Sequence, residues 1–242
     1  MTPAWIETEE LIKSREARGY GGRFYGAYPA VVLDIVDPDG EGKVKVSLPW
    51  SPDTSGATGG TYATWARLAT MMAGNNQGSW FIPDIGVEVL LIFLGGDPRH
   101  PCVIGALWNG QDAPPQSMDS AGQNNIKKLR SRDGVAITLD DTQGSEALTL
   151  ETPGGNKLVL QDGPGSITIA DSNGNSIKLD SSGITLNTSA QITLSASQTQ
   201  VTSSLVTVNA GMSQFNGVTN HDTVITNSVV SASYTPGAGN IW

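Results

Sequence analysis

The N-terminal half of the chain alternates apolar and polar residues in short runs that are separated by turn formers. An apolar run at residues 30–36 and strict alternation over 44–48 are joined by Asp37-Pro38-Asp39-Gly40. This pattern predicts a β-hairpin with one buried face. Three further predicted strands lie at residues 65–68, 87–94 and 102–106. Short strands with Gly- and Pro-rich turns between them predict a small barrel.

The C-terminal half repeats pairs of Ile, Val or Leu two positions apart. The predicted core residues of these repeats are Ile137, Leu139, Leu148, Leu150, Leu158, Leu160, Ile167, Ile169, Ile177, Leu179, Ile184, Leu186, Ile192, Leu194, Val201, Val206 and Val208. Successive pairs start 7 to 11 residues apart, and the spacing tightens to about eight after Gly183. One repeat fits a strand and a turn but cannot enclose a core, so the repeats must stack.

A period this short favours a trimeric β-helix, in which each of three chains supplies one side of a triangular prism and strands pair between chains. A single-chain solenoid usually needs coils of roughly 20 residues. Disordered Ser/Thr-rich linkers lack a regular apolar pair. A β-sandwich built from hairpins shows the same alternation and stays the main structural alternative.

The pattern divides the chain into five predicted segments. Residues 1–27 contain a short helix, because 6–18 place acidic residues early and basic residues late. The other segments are a barrel at 28–110, a linker at 111–132, a shaft at 133–211 and a C-terminal tip or fold-back segment at 212–242. A basic run, Lys127, Lys128, Arg130 and Arg132, is interpreted as a solvated face of the linker.

Composition separates the same two halves. Twelve of the fifteen aromatic residues precede position 133. Residues 133–242 hold two lysines against nine acidic residues, within a net charge of −9 for the 242-residue chain. An acidic chain without a strong basic cluster is a poor electrostatic match for nucleic acid. We therefore expect no nucleic-acid partner.

Cysteine usage and the N-terminal sequence predict synthesis in a reducing cytosol. Cys102 is the only cysteine, so no intramolecular disulfide can form. The first residues lack the basic and apolar regions of a signal peptide. The longest apolar run, residues 90–94, is too short to span a membrane.

The predicted barrel carries an ordered series of motifs. They are DPDGEG at 37–42, PW at 49–50, WAR at 65–67, PDIGVEV at 83–89 and GDPRHP at 96–101, followed by Gly105. The signature positions are Asp37, Gly40, Gly42, Trp50, Trp65, Arg67, Pro83, Gly86, Glu88, Asp97, Pro98, Pro101 and Gly105. This series resembles the OB-fold of the baseplate protein V and VgrG-type spike family. The resemblance implies an OB-fold collar below which a needle extends. Arg67 and Glu88 are expected to pair at its surface.

The same resemblance implies an assembly and its partners. Family members are homotrimeric central spikes of phage tail baseplates or related contractile injection systems, which plug the tail tube and pierce the target cell envelope on contraction. It also implies a hub protein above the collar and, in some members, a small metal-binding, PAAR-like tip protein. About 27 residues precede the predicted barrel, so a separate hub is expected. Residues 217–242 resemble endings of the phage branch, which favours a virion tail baseplate assembled in the host cytoplasm.

The residues favour a structural role over an enzyme. Some spikes carry a lysozyme between collar and shaft, but residues 109–126 contain only two carboxylates and have no room for such a domain. No catalytic residue or cofactor is predicted. Asp171 begins a run with calcium-loop-like oxygens, yet Ser176 and Ser182 replace the Gly and Glu of that motif. We therefore predict a β-turn there.

Two further readings of the sequence remain open. His221 is a weak candidate metal ligand through three copies on a trimer axis, although no H-x-H motif accompanies it and Asp222 is its neighbour. The alternative function is a trimeric receptor- or glycan-binding tail fibre, whose shaft would show the same repeats. Fibres usually bear an aromatic-rich distal head, whereas only Tyr234 and Trp242 lie near this C-terminus.

Overall fold

The computed structural model describes residues 23–52 and 61–232, and its regular elements are strands apart from one 3-10 turn at Leu94–Gly96. The first strands are β1 (Ala27–Asp34), β2 (Val44–Pro52), β3 (Thr61–Leu68), β4 (Ala73–Gly74), β5 (Gln77–Gly78), β6 (Glu88–Phe93) and β7 (Pro101–Ala106). Five of them close into a barrel in the order β1-β2-β3-β7-β6, and β4 pairs with β5. The barrel predicted from the alternation is confirmed.

Alternate side chains of the barrel strands fill its interior. Val32 of β1, Val44 and Val46 of β2, and Val89 and Leu91 of β6 have no exposed surface. Successive side chains of a strand point to opposite faces, so every second residue reaches the core. The barrel therefore buries its apolar face within one chain.

An aromatic cluster packs against this aliphatic core. Phe24, Tyr28, Trp50 and Phe93 make ring contacts with centroids 4.8 to 5.8 Å apart. The indole Nε1 of Trp50 also donates a hydrogen bond to the carbonyl oxygen of Pro29 over 2.8 Å. Trp50 thus joins β2 to β1 by packing and by a hydrogen bond, as buried indoles commonly do.

The turn between β1 and β2 is organised by one carboxylate. Asp37 accepts hydrogen bonds from the backbone N–H groups two, four and six residues later, at 3.1, 2.7 and 3.1 Å. Gly40 and Gly42 adopt φ values of 68° and 75°, which non-glycine residues rarely adopt. The glycines in the DPDGEG motif are therefore explained by backbone geometry.

A second sheet follows the barrel. Its strands are β8 (Ile126–Arg130), β9 (Ala136–Asp140), β10 (Ala147–Glu151), β11 (Lys157–Gln161), β12 (Ser166–Ala170), β13 (Ser176–Asp180) and β14 (Gly183–Asn187). Each strand pairs antiparallel with its neighbours in sequence, which makes a seven-stranded meander. The meander is a single layer, unlike the β-sandwich alternative.

The meander differs from the sequence prediction in two respects. Its first strand, β8, lies inside the segment predicted to be a linker, and the basic run belongs to this strand and the turn after it. Strands β8 to β14 also pair with one another within the chain, whereas the sequence prediction placed this pairing between chains. The physical reason is that a five-residue strand plus a Gly-containing hairpin turn has the same length as the repeat, so spacing alone does not separate the two kinds of pairing.

Regular strands end at Asn187 in the described part of the chain, whereas the sequence pattern predicts strand pairs as far as Val208. Glycines with positive φ occur in five of the six meander turns, the last being Gly183, and the next glycine in the chain is Gly211. Residues 184–210 therefore lack the glycine that a tight reversal favours. This explains why the meander does not continue.

The chain divides into two compact units between residues 191 and 192. In the described part of the second unit, residues 192–232 form no strand and their side chains are exposed. The predicted helix at 6–18 lies outside the described residues, as do Tyr234 and Trp242. Within the described residues, no helix has the length and hydropathy to span a membrane.

Candidate assembly surfaces

One face of the meander is apolar from strand to strand. Cross-strand pairing aligns its side chains in two ladders. The first ladder is Leu129, Ile137, Leu150, Leu158, Ile169, Ile177 and Leu186. The second is Lys127, Leu139, Leu148, Leu160, Ile167, Leu179 and Ile184. We call these two ladders the apolar face.

The apolar face is open in the single chain. In the middle of the sheet, Leu148 and Leu150 are 36% and 37% exposed. On its last strand, Ile184 is 72% exposed. A continuous apolar surface of this kind marks an interaction site, because its exposure to water is unfavourable. The fourteen ladder positions include every predicted shaft-core residue up to Leu186. Their assignment as the core of an assembly remains a prediction.

The opposite face of the meander is polar. Its central row is Lys128, Thr138, Thr149, Val159, Thr168, Lys178 and Thr185. Glu151 lies 3.7 Å from the ammonium of Lys128 and 3.9 Å from that of Lys157. β-Branched hydroxyl residues favour strands and tolerate water. One face of the sheet is therefore apolar and the other polar, as expected of a sheet that packs against partners through one face only.

Carboxylates and hydroxyls close several of the meander turns. Asp171 accepts hydrogen bonds from the backbone N–H groups of Asn173 and Asn175 and from both side-chain amides. The amide and N–H of Asn175, together with Asn173, lower the pKa of Asp171. The turn interpretation of this segment is therefore borne out by its geometry.

No three His, Cys, Asp or Glu side chains cluster as metal ligands among residues 23–52 and 61–232.

Lys127 interrupts the second ladder where the meander begins. Its ammonium lies 2.8 Å from Asp141 Oδ2 and also donates to the carbonyl oxygen of Asn124. This ion pair ends the apolar face at β8. Sequence reasoning missed the strand because its charged residues resemble a linker, although the Asp133-Gly134 hairpin signal directly after it was present.

The signature residues of the barrel are spread over strands and turns. Trp50, Trp65, Arg67, Glu88, Pro101 and Gly105 lie on strands, while Asp37, Gly40, Gly42, Pro83, Gly86, Asp97 and Pro98 lie between strands. The expected pair of Arg67 and Glu88 is not found among the described ion pairs. Glu88 instead accepts a hydrogen bond from the side-chain amide of Asn109 over 2.9 Å.

Two signature positions stabilise the loops of the barrel. Asp97 accepts hydrogen bonds from the side chain and the N–H of Arg99, and these contacts lower the pKa of Asp97. The N–H of Gly86 donates to the carbonyl oxygen of Val32, and Gly86 adopts a φ of 91°. Both residues therefore fix the backbone of their loops.

One ion pair joins the loop before β6 to the turn after β8. Arg132 Nη1 lies 3.0 Å from Asp84 Oδ1, and its Nε lies 3.3 Å from Asp133 Oδ1. These carboxylates raise the pKa of Arg132.

His221 and Asp222 are exposed residues outside any strand. The structure therefore gives His221 no ligand geometry within one chain.

The family comparisons match both parts of the chain. Residues 28–108 match the type VI secretion system/phage-baseplate injector OB domain. Residues 147–212 match the phage baseplate V C-terminal trimerisation domain. The second match covers most of the meander and continues past its last strand.

Curated relatives are similar over about half of this chain. The type VI secretion system spike protein VgrG1a of Pseudomonas aeruginosa is 33% identical over 127 residues, which are 47% of this chain and 19% of the relative. VgrG3 of Vibrio cholerae serotype O1 is 28% identical over 130 residues, 50% of this chain and 13% of the relative. The actin cross-linking toxin VgrG1 of Vibrio cholerae is 27% identical over 130 residues, but only 12% of its length is matched.

The chain thus matches less than a fifth of the length of these relatives. The names of two describe spikes, and the name of the third describes a toxin. The motif series at residues 37–105 lies within the stretch that matches the injector OB domain. With the injector OB domain and the C-terminal trimerisation domain matched in order, the chain belongs to the baseplate protein V and VgrG-type spike family.

Proposed function

We propose that this chain is the structural central spike of a phage tail baseplate, acting as a homotrimer that plugs the tail tube and pierces the target cell envelope. The observation that carries the proposal is the continuous apolar face of the meander. A single chain leaves this face in water, whereas three chains could turn it inward. The trimerisation model matched over residues 147–212 supports the same assembly.

The proposed trimer is a triangular prism. Each meander supplies one wall, with its polar face outward and its two Leu/Ile ladders facing the axis. Seven strands spaced by about 4.8 Å would give this part of the prism a length on the order of 30 Å. The Leu/Ile ladders of the three walls would form one dry core.

Strand pairing between chains is proposed for residues 188–208. Ile192, Leu194, Val201, Val206 and Val208 are exposed in the described chain and have no strand partner there. Without glycine for tight reversals, this segment is suited to wrap around two other copies and pair between chains. Interchain strand pairing would satisfy the backbone N–H and C=O groups of this segment.

The barrel provides the collar of the proposed spike. Its core is complete within one chain, so it can present surfaces to a separate hub protein without depending on that protein for folding. A non-enzymatic role is part of the proposal: force is transmitted through hydrogen-bonded strands and a packed core, and no reaction is required. A PAAR-like tip protein and the cell envelope are its proposed lower contacts.

Location and infectivity test the proposed function together. In tails produced by the encoding strain, gold-labelled antibody against the chain should mark the distal end of the tube. Leu150→Asp, on the apolar face, should remove the label and reduce infectious titre by several orders of magnitude. Thr149→Asp, one residue away on the polar face, is the matched control and should leave both near the wild-type values.

Two results would count against the spike. Normal infectivity of Leu150→Asp particles would show that the apolar face is not needed. Labelling along side fibres, together with specific binding of the purified protein to host glycans, would favour the receptor-binding fibre.

A further inference from the structure

The junction between the barrel and the meander leaves large apolar side chains in water. Ile85 lies in the loop before β6, and Val135 lies in the turn after β8. Trp108 and Met118 lie in the segment between β7 and β8. All four side chains are more than half exposed. Grouped apolar side chains of this kind mark an interaction surface.

Two of these side chains lie at one end of the first meander hairpin. Arg132, in the turn between β8 and β9, contacts Asp84 over 3.0 Å, and Ile85 follows Asp84 directly. Val135 belongs to the same turn, where its N–H donates to the hydroxyl of Ser131. The ion pair therefore holds the loop that bears Ile85 against the turn that bears Val135. We call Ile85 and Val135 the apolar knob.

A groove of about 780 Å³ lies at the other end of the same hairpin. There the N–H of Asp141 donates to the carbonyl oxygen of Asn125 over 2.9 Å, which joins the chain before β8 to the chain after β9. We call this the linker groove. Its lining includes Trp108, Pro114, Pro115, Met118, Ile126 and Thr142.

Hydrogen bonds within the segment between β7 and β8 hold the linker groove in shape. Asp119 accepts from the N–H groups two, four and five residues later, at 2.9, 3.0 and 2.9 Å. The side-chain oxygen of Asn109 accepts from the N–H groups two and three residues later, at 2.8 and 2.7 Å. Trp108 and Met118 are thus presented by an ordered loop, so a partner that binds them has little ordering cost to offset.

Three-fold symmetry brings the apolar knob of one copy to the linker groove of the next. Rotation about an axis keeps the height of every residue along that axis. The knob and the groove lie at the two ends of the same strands, β8 and β9, and therefore at the same height. In a closed ring of three walls, one side edge of each wall meets the other side edge of its neighbour. The contact joins two different surfaces of the subunit and occurs three times.

The position of the junction in the proposed spike selects its occupant. A hub would bind above the collar and a tip protein below the shaft, whereas the junction lies between the barrel and the first meander strands. Of these components, only a neighbouring copy lies at that height. The apolar face also begins there, with Leu129 and Ile137, so the contact would extend the proposed core toward the collar.

We propose that the apolar knob of one copy packs into the linker groove of the neighbouring copy, with Ile85 against Trp108 and Met118. Because the Asp84–Arg132 ion pair joins the knob to the barrel loop, the contact fixes the three collars around the top of the shaft. It rests on the proposed trimer but does not follow from it, since the meanders could assemble while the collars stay apart.

Photo-crosslinking in the full chain tests this contact. With p-benzoylphenylalanine in place of Ile85, irradiation of the purified protein should give covalent dimers and trimers on a denaturing gel. Mass spectrometry should find the crosslink in residues 100–127 of another copy, at Trp108 or Met118. The same replacement at Met118 should label residues 68–99 of another copy.

Tyr25 provides the matched control. It precedes β1 and is also more than half exposed, but it lies at the opposite end of the barrel from the junction. The photoreactive residue at Tyr25 should leave the purified chain monomeric on the denaturing gel. Equal interchain crosslinking from Tyr25 and Ile85 would count against a specific contact.

Serine substitutions measure the contribution of the contact. Ile85→Ser and Met118→Ser should each lower the midpoint of thermal trimer dissociation, followed by light scattering, by about 2–5 °C, because apolar contacts are lost three times per trimer. The combined loss should be smaller than the sum, since the two residues share one contact. Tyr25→Ser should leave the midpoint within about 1 °C of the wild type.

The outcomes separate this contact from the proposed spike. A trimeric wild type whose Ile85 and Met118 crosslinks are absent or lie elsewhere would overturn the contact alone. Additive losses in the serine variants would also count against it. A wild-type protein that is not trimeric would overturn the proposed spike and the contact together. If a serine variant does not assemble, the position of the crosslinks decides.

Discussion

The barrel and the meander differ in how far they bury their apolar side chains. The barrel closes on itself and leaves Val32, Val46 and Leu91 with no exposed surface. The meander has equally regular Leu/Ile ladders, yet Leu139 and Ile169 are each 48% exposed. Because a closed sheet makes its own core and an open one does not, the barrel buries its apolar side chains within one chain while the meander leaves its own partly exposed.

In the proposed spike, this difference gives the two regions separate tasks. The barrel, whose core is complete, would bind the proposed hub through its surface. The meander, whose core would form only in the assembly, would couple its folding to trimer formation. The stability of the meander should therefore vary with protein concentration, and that of the barrel should not.

The largest expected effect is in the barrel core. Leu91→Ala removes a fully buried side chain and should lower the free energy of unfolding of the barrel by about 2–5 kcal/mol. The barrel transition, followed by tryptophan fluorescence in denaturant, should move while the dissociation of the trimer changes little. Equal shifts of both transitions would show that the two regions do not behave separately.

The next effect concerns a tight contact between two turns of the meander. A Cβ at Gly163 would collide with the backbone carbonyl oxygen of Gly144, whereas a Cβ at Gly154 would meet open space. Gly163→Ala should cost about 1–3 kcal/mol, because backbone atoms must move. Gly154→Ala is the matched control and should be neutral or slightly stabilising. Equal thermal midpoints for the two variants would contradict the turn packing.

A smaller effect is expected at Trp50. Trp50→Phe keeps a ring in the aromatic cluster but removes the hydrogen bond to Pro29. The loss should be about 0.5–1.5 kcal/mol for the hydrogen bond, and it should appear in the barrel transition only. An unchanged barrel transition in chemical denaturation would mean that water replaces the carbonyl's lost donor at no cost.

The smallest effect is the pH dependence of the meander turns. Hydrogen bonds from Asn175 and Asn173 lower the pKa of Asp171, so its contribution to stability is present above the unfolded pKa of about 3.9. This contribution is lost as the pH falls through the lower folded value. Asp171→Asn should therefore show a smaller drop in thermal midpoint between pH 7 and about pH 3 than the wild type. An identical drop would show that Asp171 does not contribute.

The barrel was largely predictable because its signals are local. The turn at Asp37 and the alternation from Val44 specify one hairpin, and its glycines mark backbone that other residues disfavour. The motif series then identified the family. The predicted pairing of Arg67 with Glu88 was wrong, since residue spacing does not show which side chains meet across a barrel.

The meander was predictable in its repeats but not in its pairing. An apolar pair and a turn have the same length whether the next strand comes from the same chain or another one. The Gly-containing turns up to Gly183 favour the hairpins that the structure shows. No glycine occurs between Gly183 and Gly211, and the regular strands end in this stretch. β8 was missed because Lys127 and Lys128 occupy positions on its two faces, where ion pairs replace apolar contacts.

The most direct test of the central claim is the solution mass of the full chain. Sedimentation equilibrium over a hundredfold range of concentration should give three times 25.3 kDa throughout that range. A mass of 25.3 kDa, with the apolar face stable in water, would contradict the claim that this face is the core of a trimeric spike.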